Sequence, residues 1–163
     1  MRAFIQKTYA TVADNFRLAL HYSFLLTASF IVIFLAARVA GLSKVTELRF
    51  INYAVFYPVV FSAVRKAYWE NNGYIQYFRG LMIGFLTGAM GQLWYALLFF
   101  IYLQFDHSFF AYLVTQLPQP LMYPHLSILF VMISEGFALS AILSLTFMQY
   151  FKWKQGRWGV SHG

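Results

Sequence analysis

Glu135 is the residue in this sequence with the clearest chemical potential. It lies nine positions into an otherwise uncharged run of 26 residues, 126–151. If that run crosses a bilayer, a carboxylate there costs at least about 2.5 to 3.5 kcal/mol, so it must be protonated, paired, or turned towards a polar cavity. On helical spacing Thr146 and Gln149 share its side, and His125 lies near the edge of the same arc. Two chemistries are open. One is a protonatable or cation-binding site in a transport path. The other is a protonated acid making one interhelical hydrogen bond, to Gln92 near the middle of the third apolar run or to a tyrosine of the second. Arg38 is the nearest cation by estimated depth, and a pair between Arg38 and Glu135 would be structural in the first instance.

Other chemistries find little support. His21, His107 and His125 come from separate segments, and none stands in a ligand spacing such as two histidines one helical turn apart. No metal site is expected. The sequence has no cysteine, which excludes disulfides, thiolate metal sites and cysteine nucleophiles. It also has no Gly-rich phosphate loop, nucleophile elbow or paired carboxylate, so the chain is expected to be non-enzymatic and to need no cofactor. Trp94, Trp153, Trp158 and the many tyrosines read as anchors at a membrane interface.

The elements that hold these residues follow from hydropathy. Of 163 residues 61% are hydrophobic and only 10% charged, with mean hydropathy +0.60. A soluble domain carries about a quarter charged residues, so the class is integral membrane. Four spans are expected in a single all-α domain, at about 18–40, 47–66, 79–105 and 126–151, with an interfacial helix at about 2–15 before the first. A cleaved signal peptide is disfavoured, since the uncharged run 18–37 is longer than a usual signal core and Arg38 replaces the small residue of a cleavage site. The second span is the shortest. Its uncharged core of 15 residues lies between Arg49 and Arg65 and contains Pro58. Asn71-Asn72-Gly73 reads as the turn into the third span. Between the last two spans Phe109, Phe110, Tyr112 and Leu113 are expected to lie flat in an interface, before Pro118, Pro120 and Pro124.

The third span carries the most regular pattern. Gly80, Gly84 and Gly88 recur every fourth position, and Gly91 falls within the same arc. Small residues at this spacing let helix backbones approach closely, and in lipid that packing drives association. Either another helix of this chain or a partner's helix must cover the face. In the last span Gly136, Ser140 and Ser144 form a second small-residue stripe, more than about 90° from Glu135 on a helical wheel. That helix is expected to have one polar and one smooth interface.

The net charge of +7 is distributed between the apolar runs. It reads as a topology signal and as contact with anionic lipid; nucleic-acid binding is not expected. With both termini inside, nine of the 12 lysines and arginines face the cytoplasm and three face out. Both termini are therefore expected in the cytoplasm.

Residues 54–102, from AVFYPVVFSAVRKAYWENNG through YFRGLMIGFLTGAMGQ to YALLFFIY, resemble the core of the domain-of-unknown-function 4199 family, small bacterial inner-membrane proteins with four spans. Arg65, Lys66 and Tyr68, then Glu70 and Gly73, then Phe78, Arg79, Gly80 and Gly84 occupy its basic-aromatic segment, its turn and its small-residue helix opening. Glu135 and Gly136 match the acid and small residue of its closing helix. The sequence departs from that pattern at Asn72, where a second turn glycine is common, and at Phe78, where a glycine often precedes the basic residue. The resemblance implies a multi-pass bacterial inner-membrane protein, and it implies no activity. The expectation is a non-enzymatic assembly or accessory subunit, joined to a membrane partner or to copies of itself; the alternative is a small secondary transporter or channel using Glu135.

Overall fold

A computed structural model describes residues 2–41, 49–71, 73–115 and 123–158, with side chains from residue 13 onward except those at 49, 50, 157 and 158. Five helices make up the described chain: α1 (Arg2–Val39), α2 (Arg49–Glu70), α3 (Tyr77–Phe105), α4 (His107–Thr115) and α5 (Pro124–Trp158). There is no strand among the described residues. Among the described residues three helical segments are long and apolar enough to cross a membrane: Ala13–Val39, Tyr77–Phe105 and Pro124–Gly156.

α1 is one helix of 38 residues, so the segment expected to lie separately in the interface continues directly into the first apolar run. The reason is local: there is neither glycine nor proline between Arg2 and Val39 to break it. Gly41 then adopts φ +72 and ends the helix, and Gly73 does the same after α2 with φ +78, donating its N–H to Tyr68 O at 3.1 Å. Asn72, the middle residue of the expected turn, lies outside the described residues, as do Pro118 and Pro120. Pro58 sits inside α2, which runs on past it to Glu70.

α1 and α3 run parallel. Asn15, in the first half of α1, meets Arg79 near the start of α3, and Arg38 and Asp106 meet at the ends of the two helices. α2 and α5 run the opposite way, with Tyr53 beside Glu135 and Phe61 beside Phe147. α3 packs most extensively against α5 and α1 and also touches α2. Its central place follows from its glycines, since a helix without side chains on one arc can be approached closely by its neighbours.

The core they share is aromatic and aliphatic: Leu26 and Phe30 from α1, Phe56 and Val60 from α2, Tyr95 from α3, Phe147 from α5. Phe30 meets Phe56 and Tyr95 at ring-centroid distances of 5.9 and 5.1 Å. A second cluster closes the Asp106 end, where α4 does not lie flat on all its aromatics. Phe109 turns inward against Leu103 and Ile128, while Phe110, Tyr112 and Leu113 are partly buried beside them. The nine-residue helix thus caps that end.

Candidate functional site

The α3 glycines are spent within the chain. A Cβ built on Gly84 would lie 2.7 Å from Ser144 Oγ and 3.1 Å from Val64 Cγ2. One on Gly80 would strike Met148, one on Gly88 would strike Ser140 and Phe56, and one on Gly91 would sit 2.7 Å from Leu26 of α1. The α5 stripe answers in kind, because Gly136 receives the side chain of Gln92. Ser140 and Ser144 are fully buried and turn their hydroxyls back to Gly136 O and Ser140 O, each at 2.6 Å, so neither presents an unsatisfied group to α3. Gln92 Nε2 donates to Met132 O at 3.1 Å across the same seam. Gly91 has a second role: its carbonyl accepts from Thr27 Oγ1 of α1 at 3.0 Å.

Glu135 lies on the other side of α5. Its Oε1 accepts a hydrogen bond from the Tyr53 hydroxyl of α2, and both residues are half-buried. Gln92, the other partner open to it on sequence, points into the Gly136 seam. Around the pair Val131, Ser134 and Ala138 of α5 and Ala54 and Tyr57 of α2 face outward. Thr146 and Gln149 are exposed further along α5, the threonine hydroxyl bonded to Ile142 O at 2.8 Å. His125 is stacked on Phe110 of α4, ring centroids 3.7 Å apart.

Arg38 forms an ion pair with Asp106, a contact between the ends of α1 and α3. Asp106 gathers four groups. Its Oδ2 also accepts from the Tyr102 hydroxyl at 2.7 Å, and its Oδ1 accepts from Ser108 Oγ at 2.7 Å and Phe109 N–H at 2.9 Å. The same residue therefore closes α3 and serves as the N-cap of α4. The Arg38 guanidinium stands 5.5 Å from the Phe109 ring centroid. The Tyr102 hydroxyl, the Phe109 amide and Ser108, with Arg38 beside them, hold the Asp106 carboxyl well below the usual carboxylate range, against the opposing effect of burial.

No family model, no curated protein and no solved structure matches the chain.

The chemistry of the site has to be read from its own geometry. Among the described residues no group of three His, Asp or Glu side chains is placed to hold a metal ion. Two polar constellations that include a carboxylate stand out among the described residues, the Tyr53–Glu135 pair within the apolar length of α5 and the Arg38–Asp106 clasp at one end. Asp106 is the residue of these that the sequence did not single out. The signal was present: an aspartate just after a helix, followed by Ser108 and a short aromatic stretch, has the composition of an N-cap.

Proposed function

We propose that this chain is a non-enzymatic, four-span protein of the bacterial inner membrane, both termini cytoplasmic, acting as an assembly or accessory subunit of a membrane complex or homo-oligomer. One observation carries the reading. The Tyr53–Glu135 pair is only half-buried and is bordered by the outward-facing small residues Ser134, Ala138 and Ala54. An acidic residue half-exposed at the depth of acyl chains is costly, and small residues around it let another helix approach closely enough to cover it. The glycine face has no such opening, since α5 and α1 already fill it. The partner-facing surface is therefore the α2–α5 edge around Glu135.

α2 is taken as the fourth span because it contributes Phe56, Val60 and Val64 to the shared core. Its 22 residues extend about 33 Å at helical rise, enough for a hydrocarbon layer. The orientation rests on charge. Arg17, Arg65, Lys66, Arg79, Lys152 and Lys154 lie at the end where α3 begins, and Arg38 and Arg49, the first residue of α2, lie at the other. Since no family model matches, the resemblance to the domain-of-unknown-function 4199 family lends the proposal no activity.

A hydrogen-bonded acid and phenol within the apolar length of a span also support a second reading, a proton or cation site in a small transporter. Glu135→Gln separates the two, because glutamine can still accept from Tyr53 but cannot exchange a proton. Under the assembly reading, purification in mild detergent recovers the variant with the same partner or copy number as the unaltered chain. Loss of vesicle transport with assembly intact would instead establish the transporter. Recovery of the unaltered chain always alone and monomeric would refute assembly.

A further inference from the structure

Among the described residues the buried hydroxyls are satisfied with one exception. Ser23, Thr27, Ser140 and Ser144 each bond back to a carbonyl of their own helix, at 2.6 to 2.9 Å. Thr87 of α3, itself fully buried, does not: its Oγ1 has no hydrogen-bond partner among the described residues. An unmet hydroxyl in a dry interior lowers the folding equilibrium roughly five- to hundredfold, so native structures seldom leave one.

α1 and α3 run in a fixed register that identifies what Thr87 faces. Asn15 meets Arg79 and Thr27 meets Gly91, each pair 64 residues apart in sequence. The same offset pairs Ala19 with Ile83 and Ser23 with Thr87, and all four are buried. Residues four apart keep to one face of a helix, so Ser23, one turn before Thr27, and Thr87, one turn before Gly91, stand opposite each other across the seam. At Gly91, where α3 has no side chain, Thr27 Oγ1 reaches the carbonyl of the other helix at 3.0 Å. One turn back the two facing oxygens do not bond each other. Ser23 gives its proton to Leu20 O at 2.8 Å, so it can only accept from a group in the seam, whereas Thr87 still has a donor to place.

A group between them must accept from Thr87, donate to Ser23, and be small. The seam is closed around it, since a Cβ on Gly84, Gly88 or Gly91, the glycines flanking Thr87, would come within 3.0 Å of a neighbouring side chain. Two hydroxyls offer a metal ion no charged ligand, but two polar partners are enough to hold a water. We propose that Ser23 and Thr87 hold one ordered water molecule between α1 and α3, which accepts from the Thr87 hydroxyl and donates to Ser23 Oγ. The two helices are then tied by polar contacts at three levels: Asn15–Arg79, the water, and Thr27–Gly91. The site lies inside the bundle, so it is separate from the α2–α5 edge on which the assembly reading rests.

The test is magnetic relaxation dispersion of the water oxygen with the full chain in mixed micelles, which counts waters held long enough to tumble with the protein. Thr87→Val, equal in shape but without the donor, should lose one such water, and Ser23→Ala should lose the same one, so that the double variant loses one and not two. Thr87→Ser, which retains the oxygen, should keep it, as should Thr146→Val, whose exposed hydroxyl bonds only Ile142 O. In reversible unfolding Thr87→Val should lower the folding equilibrium about fivefold. The absence of any long-lived water in the unaltered chain overturns the proposal without recourse to variants. An unchanged count in Thr87→Val also overturns it: with a strengthened fold, the hydroxyl stands dry; with a weakened one, Thr87 bonds Ser23 directly.

Discussion

Replacing Gly84 by alanine tests the seam between α3 and α5 at its middle, between the contacts of Gly80 and Gly88. The added methyl would lie 2.7 Å from Ser144 Oγ, 3.1 Å from Val64 Cγ2 and 3.2 Å from Ser144 Cβ, where ordinary contacts are at 3.4 Å or more. Ser144 cannot yield freely, because its hydroxyl is bonded to Ser140 O at 2.6 Å and the side chain is fully buried. Overpacking of this kind costs about 2 to 3 kcal/mol, from which about 1 kcal/mol is recovered because alanine is the better helix former. The expected net loss is about 1 to 2 kcal/mol. Ser144→Gly removes two of the three clashing atoms, so the double variant should recover most of that loss, giving a coupling of about 1 kcal/mol in a double-mutant cycle. Gly156→Ala is the control: nothing lies within 4 Å of its added methyl, so it should be neutral or slightly stabilising. The assay is reversible unfolding in mixed micelles, followed by tryptophan fluorescence. A neutral Gly84→Ala, or a Ser144→Gly change that adds to the loss without rescue, would show that the stripe is not the close-packed seam.

Further outcomes follow from the polar contacts. The Asp106 carboxyl has a folded-state pKa below its unfolded value of 3.8, so its contribution to stability is present above that value and is lost as the pH falls below 3.8. Melting of the unaltered chain should therefore drop more steeply than that of Asp106→Asn in acid, and parallel curves would refute the role given to the clasp. Amide exchange of α4 should quicken in Arg38→Gln relative to the unaltered chain, since the ion pair and the contact with Phe109 both go; unaltered protection would mean that capping by Asp106 alone holds the helix. Tyr53→Phe removes one donor to Glu135 and should cost about 0.6 to 2 kcal/mol, read in the same unfolding assay as Gly84→Ala. No loss there would mean that the pair is worth nothing to the fold, and the case for its structural role would fail.

Much of the chain could be read without coordinates. The helical content, three of the four expected spans, the glycine turn at residue 73 and the small-residue positions, four on α3 and three on α5, are all local properties, because hydropathy over a window and a repeat of 3.6 residues depend only on near neighbours in sequence. Local reasoning was less successful where elements join. The segment 2–15 continues into the first span, and α4 folds inward on Phe109, because whether an aromatic helix meets lipid or protein depends on the surface left open beneath it.

Pairings between distant residues needed the tertiary structure. Arg38 could be assigned by depth to Glu135, yet it is bound to Asp106, which lies 68 residues away in sequence and at the same end of the parallel pair α1 and α3. The glycine stripe requires a neighbour but does not identify it; α5 fills Gly80, Gly84 and Gly88, and α1 fills Gly91. A helix determines from its own sequence which of its faces must be covered. Which helix covers that face, and at what register, depends on the shape and charge of segments far along the chain, and is decided only when they pack.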